Sequence, residues 1–186
     1  MKSQSLPIST VVSMFLVLVF LSRSSHQYSA STKQAETNLV DTVCKETINN
    51  TNCLEFLESD PRTKNAMDLN DLAKLVLELA LSNAKDSQNF INNMITGVYE
   101  PDHCQQVLEK CAFWYEAVVA SFRSALLELE EDVMSANYDV EIAGDDAGNC
   151  ENEMILNKVV IPSVSERNYQ VKLYSNIGDV ITNKLS

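Results

Sequence analysis

Residues 104–129 read CQQVLEKCAFWYEAVVASFRSALLEL, a stretch in which apolar side chains recur every three or four positions. That spacing places them on one face of an α-helix, because about 3.6 residues complete a turn. Alternating steps of three and four are typical of the narrow seam of a helix packed at a shallow angle against its neighbours. We therefore predict one long helix of a bundle, with a seam formed by Cys104, Leu108, Cys111, Tyr115, Val118, Phe122, Ala125 and Leu129.

Three further stretches have the same spacing, at residues 69–98, 140–154 and 164–185. Their predicted seams are, in turn, Leu69, Leu72, Val76, Leu79, Asn83, Ser87, Phe90, Met94 and Val98; Val140, Ala143, Ala147, Cys150 and Met154; and Val164, Arg167, Val171, Tyr174, Gly178, Ile181 and Leu185.

Helix-terminating residues lie at the ends of these stretches. Asp68 can cap the first stretch and Gly97 can end it. Residues 162–166, Pro-Ser-Val-Ser-Glu, contain a Ser-x-x-Glu capping box for the last. Gly144 and Gly148 count against the third helix, since each costs about 1 kcal/mol in a helix interior.

The connections between the four long helices are short, which favours antiparallel neighbours. With only four Gly and four Pro, the chain lacks the turn signals of an all-β fold. We predict an all-α fold with an up-down-up-down four-helix bundle at residues 66–185. Before it, residues 34–60 are expected to form an αα-hairpin that reverses at residues 49–52, Asn-Asn-Thr-Asn.

The N-terminus has the features of a secretory signal peptide. Lys2 precedes an apolar run at residues 11–21, and small residues follow. Eleven helical residues rise about 16 Å, short of the roughly 30 Å that a membrane anchor would need. We predict a signal peptide at residues 1–24, with cleavage as late as residue 30, and no membrane association afterwards. In the secretory compartment, the sequon at Asn49 would be open to glycosylation.

An oxidising compartment makes disulfides the first interpretation of the cysteines. Cys44 and Cys53 would lie about 13.5 Å apart on one continuous helix, yet a disulfide needs Cα atoms within about 7 Å. If they pair, the chain must reverse between them. Cys104 and Cys111 would be about 10.5 Å apart, which excludes a bridge between these two. One of them should reach Cys150, and geometry alone does not choose which.

The charge balance limits the partners. The chain has 186 residues, with 14 Lys and Arg against 26 Asp and Glu, for a formal net charge of −12. Loss of the signal peptide removes two basic residues and no acid, which leaves −14. A nucleic-acid partner is not expected, because phosphate binding needs clusters of Lys and Arg.

Candidate catalytic and metal-binding residues are few. His103 is the only imidazole certain to remain after processing, and neither a CxxC nor a HxxxH spacing occurs. The acidic residues at 128–132 and at 145–146 are interpreted as solvated helix positions, since they lack a regular ligand spacing. Trp114 falls off the seam and is the candidate for an exposed anchor. We predict no catalytic activity, no metal and no cofactor.

Taken together, several short motifs resemble the plant invertase inhibitor / pectin methylesterase inhibitor family. The resemblance runs from about residue 35 to residue 185 and follows the signal peptide. The motifs are Cys44-x8-Cys53, Ser59-Asp60-Pro61-Arg62, Asp68-Leu69-x2-Leu72-Ala73, Cys111-x3-Tyr115, Cys150-Glu151 and Leu173-Tyr174-Ser175-Asn176-Ile177-Gly178-x2-Ile181-x3-Leu185.

The resemblance implies the same fold and adds a disulfide pairing, Cys44 with Cys53 and Cys111 with Cys150. Cys104 then lies outside both bridges, as a reduced thiol. The implied function is secretion to the apoplast or vacuole and one-to-one inhibition of a plant acid invertase (β-fructofuranosidase) or a pectin methylesterase, by blocking the active-site cleft. The alternative is a non-inhibitory secreted helical bundle with a binding or defence role.

The resemblance also indicates where the target would bind. Invertase inhibitors of this family insert a Pro-Lys-Phe segment before the fourth cysteine, and the corresponding residues here are Val133, Met134 and Ser135. Methylesterase inhibitors often have Asp-Tyr-x-x-Ala there, and this chain keeps Asp132 and Ala136 without the Tyr. Asp132, Val133, Met134 and Ser135 are thus the candidate target contacts. The Cys-x8-Cys spacing and the Ser-x-x-Glu start of the last helix resemble invertase inhibitors more, which favours invertase.

Overall fold

The computed structural model describes residues 38–97 and 102–186, so the predicted signal peptide lies outside the described residues. The described part of the chain is helical, and none of its helices is long and apolar enough to cross a membrane. Its helices are α1 (Leu39–Cys44), α2 (Asn50–Glu58), α3 (Pro61–Lys64), α4 (Leu69–Thr96), α5 (Asp102–Glu128), α6 (Val133–Leu156) and α7 (Pro162–Leu185).

The four long helices form a closed ring. α4 packs on α5, α5 on α6, α6 on α7, and α7 returns to α4. Residues 129–132 connect α5 to α6 and residues 157–161 connect α6 to α7, and such short connections make neighbouring helices antiparallel. The predicted all-α fold with a four-helix bundle is confirmed.

Two of the predicted helix ends are present, and one predicted cap is wrong. The Asp68 carboxylate accepts the Asp71 backbone N–H at 2.9 Å, and Gly97 ends α4. The Ser-x-x-Glu capping box of α7 does not form, because Pro162 occupies the first turn and Ile161 precedes the helix without a side-chain cap. Proline is favoured there since its φ is already helical and it has no N–H to satisfy. Ser163 is therefore already inside the helix.

The predicted seams are largely buried, except in α4. The α5 seam is buried from Leu108 to Leu129, with Cys104 half-buried. In α4 the buried face is wider than the predicted seam, because a helix in a ring contacts two neighbours. Five predicted seam residues are only half-buried, namely Leu69, Leu79, Asn83, Phe90 and Met94, and Val98 lies outside the described residues. The buried set is Leu72, Ala73, Val76, Leu77, Ala80, Ala84, Ser87 and Ile91.

The third long helix, α6, is continuous through Gly144 and Gly148. Gly144 is needed there because it makes a close contact with α7. A Cβ built on Gly144 would lie 2.3 Å from Ser175 Oγ on α7. Gly178 of α7 faces Val140 of α6 in the same way, with a built Cβ only 2.9 Å from Cγ1. Glycine at these two positions lets α6 and α7 approach more closely than any side chain would allow.

Two disulfides fasten the fold. Cys44 and Cys53 are bonded with Cα atoms 5.4 Å apart, so α1 and α2 form the predicted αα-hairpin. The predicted reversal at residues 49–52 is wrong: the chain reverses at residues 45–49, because Asn49 caps α2 and residues 50–52 form its first turn. Cys111 and Cys150 join α5 to α6 with Cα atoms 4.6 Å apart. Both pairings that the family resemblance implies are present, and Cys104, in the first turn of α5, belongs to neither bridge.

The hairpin docks on α7 through polar side chains that the sequence motifs did not identify. Tyr169 OH accepts hydrogen bonds from Asn49 Nδ2 at 3.0 Å and from Asn52 Nδ2 at 2.6 Å. Asn176 Oδ1 accepts the backbone N–H of Ile48 at 2.8 Å. These bonds hold the α1–α2 connection, residues 45–49, against the middle of α7.

A buried polar network links three of the bundle helices. Tyr115 OH donates to Asn168 Oδ1 at 2.9 Å, and Asn168 Nδ2 donates to Glu151 Oε2 at 2.8 Å. Burial raises the pKa of Tyr115, so its phenol remains a neutral donor. Since a buried polar group is costly unless it is hydrogen-bonded, this network specifies the register of α5, α6 and α7.

The two glycines inside α6 should respond oppositely to alanine. Gly144→Ala forces a Cβ against Ser175 and should cost about 1–3 kcal/mol of unfolding free energy. Gly148→Ala meets nothing within 4 Å and should stabilise the helix by up to about 1 kcal/mol. Urea unfolding of both variants measures this. Equal stability of the two would contradict the close contact, and Gly144→Ala combined with Ser175→Gly should recover much of the loss.

Candidate functional site

The residues predicted to contact the target lie at the turn between α5 and α6. The turn is tight, because Glu128 O accepts the backbone N–H groups of Glu131 at 2.9 Å and of Asp132 at 2.8 Å. α6 begins at Val133 directly afterwards. The segment is therefore the first turn of a helix and does not form a projecting loop.

Asp132 caps α6. Its carboxylate accepts the backbone N–H groups of Met134 at 3.1 Å and Ser135 at 3.2 Å, and the Ser135 hydroxyl at 2.8 Å. The Ser135 hydroxyl, followed by these backbone groups, holds the pKa of Asp132 below its usual value. Asp132 and Ser135 thus bond to each other, and Val133 is half-buried, which leaves Met134 as the predicted contact most open to a partner.

Met134 begins an exposed face of α6 that continues along the helix. Its exposed fraction is 68%, and that of Tyr138, one turn later, is 62%. Glu141 and Asp145 are also exposed and follow at intervals of three and four residues, so the four side chains project from one side of the helix. We call Met134, Tyr138, Glu141 and Asp145 the α6 outer face. Tyr138 is not among the predicted contacts, although its spacing of four residues from Met134 places it on the same helix face.

The α6 outer face borders an open cleft of about 390 Å³ between α6 and α7. Glu141, Gly144 and Asp145 line it from α6, and Lys172, Ser175 and Asp179 line it from α7. Ile48 of the hairpin connection and Asn176 complete the lining. We call this concavity the α6–α7 cleft.

A second concavity of about 540 Å³ lies beside α5 and α6. The Lys110 Nζ to Glu153 Oε1 ion pair, at 2.5 Å, joins the two helices there. Phe113 is 65% exposed in this region, whereas its edge-to-face neighbour Trp114 is half-buried. The prediction of an exposed Trp114 anchor is therefore wrong. Consecutive helical residues are rotated by about 100°, and this rotation puts Phe113 on the solvent side instead.

The described residues contain no group of three His, Cys, Asp or Glu side chains placed to hold a metal ion. His103 Nε2 lies 2.9 Å from Asn157 O, so this imidazole contacts the connection between α6 and α7. These helices present two surfaces on which another molecule can dock. One is the α6 outer face, which begins with Met134 and Tyr138, and the other is the acidic α6–α7 cleft beside it.

A sequence model of the family described as "Plant invertase/pectin methylesterase inhibitor" matches residues 38–183. The chain belongs to this family. Its solved members include a pectin methylesterase inhibitor from Arabidopsis, in a mutant form that superposes with a TM-score of 0.69 at 27% identity, covering 77% of this chain and 95% of that one. A second Arabidopsis thaliana inhibitor structure gives 0.60 at 26% identity, covering 81% of this chain and 98% of that one.

The relatives are named either as inhibitors of pectinesterase or as inhibitors of fructosidase. A "Pectinesterase inhibitor" of Actinidia deliciosa is 32% identical over 145 residues, covering 77% of this chain and 76% of that protein. A "Cell wall / vacuolar inhibitor of fructosidase 2" of Arabidopsis thaliana is 28% identical over 140 residues, covering 73% and 77%. These relatives are inhibitors, in agreement with the expectation that the chain is not an enzyme.

Replacing the α6 cap should loosen the predicted contact region. Asp132→Ala removes the acceptor for two backbone N–H groups, so the first turn should fray and the melting temperature should fall. Asp132→Asn keeps an acceptor and serves as the control.

The stabilisation by Asp132 should also depend on pH. Because the folded-state pKa of Asp132 is depressed, the contribution of its charge to stability is present above the unfolded pKa and is lost as pH falls through the folded pKa. The gap between wild type and Asp132→Ala should thus narrow in acid, and a gap independent of pH would contradict the capping account.

Asp146 should give the opposite pH dependence. The residue is 8% exposed, and burial of its carboxyl, only partly offset by the hydrogen bond from Asn149 Nδ2 at 3.4 Å, raises its pKa. The folded protein favours the neutral carboxyl. The contribution of Asp146 to stability is therefore fully present below the unfolded pKa, about 3.9, and is lost as pH rises through the folded pKa. Asp146→Asn should therefore stabilise the protein at pH 7 more than at pH 4 in thermal melts. Asp145→Asn is the matched control, and equal effects of the two would contradict the role of burial.

Proposed function

We propose that this chain is a secreted protein inhibitor that forms a one-to-one complex with a pectin methylesterase and blocks its active-site cleft. Support comes from membership in the family and from the Actinidia pectinesterase inhibitor at 32% identity. The solved pectin methylesterase inhibitors of Arabidopsis, which share the fold, add to it.

The geometry of the α5–α6 turn carries the choice of target. If invertase inhibition depends on inserting a projecting segment, the corresponding residues 133–135 are poorly shaped for it, because they form the capped first turn of α6. A helix face is better suited to lie against an enzyme's surface than to enter a narrow site. The capped turn therefore favours a pectin methylesterase despite the Cys-x8-Cys spacing. The Ser-x-x-Glu motif does not form a capping box, so it no longer favours an invertase.

The α6 outer face has the physical properties of a docking surface. Exposed aromatic side chains such as Tyr138 are favoured as anchors, since they bury a large area at a small cost in conformational entropy. α6 is held by a disulfide and by two glycine contacts, so little flexibility is lost on docking. An interface of about 800 Å² per partner would fit on one face of the bundle.

A second candidate target is an acid invertase. The relative named as an inhibitor of fructosidase supports it. An invertase would also have to bind the surface of α6, because the described turn between α5 and α6 has no projecting Pro-Lys-Phe segment.

Secretion to the apoplast or vacuole is part of the proposal. Two disulfides and a relative named for the cell wall and vacuole support it. Glycosylation of Asn49 stays a prediction. Its Nδ2 donates to Tyr169 OH, and because a glycosylated amide keeps one N–H, this bond to α7 is compatible with a glycan.

Equimolar inhibition assays against a pectin methylesterase and an acid invertase test the proposal. Wild type should inhibit the methylesterase, and Tyr138→Ala should weaken the complex roughly 30-fold, as loss of an aromatic anchor typically does. Phe113→Ala, which removes a similarly exposed aromatic from α5, should change affinity less than about twofold.

Each other outcome has a definite meaning. Inhibition of invertase alone would establish the second candidate. A folded protein that inhibits neither enzyme and forms no complex on size exclusion would be a non-inhibitory bundle. Equal losses from the two aromatic variants would contradict the α6 outer face as the contact.

A further inference from the structure

We propose that the α6–α7 cleft receives an arginine side chain of the protein partner. The proposal rests on the proposed function and names a specific subsite next to the apolar part of the α6 outer face. The cleft offers the exposed carboxylates of Glu141 and Asp145, the nearly buried Ser175 side chain and the apolar side chain of Ile48.

The cleft carries more negative charge than positive. Among the residues that the structure describes, Glu141, Asp145 and Asp179 line it together with a single cation, Lys172. Asp179 Oδ1 is already occupied, accepting Asn137 Nδ2 at 2.9 Å and another amide from α7. The carboxylates of Glu141 and Asp145, both exposed, form no hydrogen bond or ion pair with other described residues, so they are the acceptors open to a partner.

Ser175 gives a second and independent indication of a ligand. It is only 7% exposed and lines the cleft, yet its hydroxyl has no hydrogen-bond partner within residues 38–97 and 102–186. Its Oγ is not among the fully enclosed side-chain atoms that lack a partner, so it reaches the cleft opening. A nearly buried hydroxyl that opens only to a cleft and has no partner among the described residues indicates a group that binds there. Gly144 leaves the space that this hydroxyl occupies, since a Cβ there would lie 2.3 Å from Ser175 Oγ.

Arginine fits this set better than other groups. Its planar guanidinium has five N–H donors, enough to make a paired hydrogen bond to one carboxylate and a further bond to a second, which suits two acids spaced one helical turn apart on α6. The Ser175 hydroxyl can accept a further N–H. Ile48, 72% exposed on the hairpin connection, offers apolar surface for the methylene stem, and the cleft volume of about 390 Å³ admits one such side chain.

The position of the cleft agrees with an interface role. Glu141 and Asp145 belong to the same α6 outer face as Met134 and Tyr138. A partner lying along this face would meet an aromatic anchor first and the acidic cleft one turn further on. Tyrosine and arginine are both enriched at the energetically dominant centres of interfaces, so Tyr138 and a partner arginine in the neighbouring cleft fit such a centre.

The first test uses a small probe and needs no enzyme. N-acetyl-L-arginine amide is titrated into the protein, with amide NMR shifts as the readout and the neutral isostere N-acetyl-L-citrulline amide as the control. We expect saturable shifts at Gly144, Asp145 and Ser175 with arginine only. The double variant Glu141→Gln/Asp145→Asn should abolish them, and Asp86→Asn/Glu116→Gln, which removes two exposed acids elsewhere, should not.

The second test measures binding to the target enzyme. Glu141→Gln/Asp145→Asn should weaken binding roughly tenfold, whereas Asp86→Asn/Glu116→Gln should change it less than about twofold. Lys172→Gln removes the like charge and should tighten binding. Equal losses in the two double variants, or weaker binding with Lys172→Gln, would overturn the cleft proposal.

The two tests separate the two proposals. Saturable probe binding without any complex with either enzyme would overturn the proposed function and leave the cleft as an arginine site. A tight enzyme complex without probe binding, and with the acidic variants unchanged, would overturn the cleft alone.

Discussion

α6 is held in place from two sides by its neighbours α5 and α7. On one side the Cys111–Cys150 disulfide fixes α6 to α5, and closing a loop of 39 residues is worth about 4 kcal/mol in the chain-entropy account. On the other side Gly144 and Gly178 let α6 and α7 approach until backbone meets side chain. α6 therefore cannot rotate or slide without breaking a covalent bond or causing a clash.

Both surface features of interest follow from this constraint. The outer face that begins at Met134 is exposed because the opposite side of α6 is committed to the core. The α6–α7 cleft is shallow and polar because the glycine contact forms its floor, while the hairpin connection at Ile48 closes one edge. A protein that inhibits by covering a cleft needs no reacting group. It needs a rigid surface, because ordering a flexible surface on binding would lower the affinity.

Local sequence signals predicted the helices and most of their ends, because periodicity and caps such as Asp68 depend on a few neighbouring residues. They did not choose Cys111 over Cys104, since both occupy the same predicted seam; the family resemblance supplied that pairing. The need for glycine at 144, the cleft around Ser175 and the docking of Asn49 on Tyr169 depend on residues 30 or more positions apart. Spacing along one helix carries no information about them.

Hydrogen–deuterium exchange of the protein, alone and mixed with a pectin methylesterase, shows whether α6 is the docking helix. We expect added protection along α6 from Met134 to Asp145 and in α7 around Ser175, with little change in α4, which lies across the ring. Protection confined to α4, with α6 exchanging as in the unbound protein, would contradict the role of α6 as the docking helix.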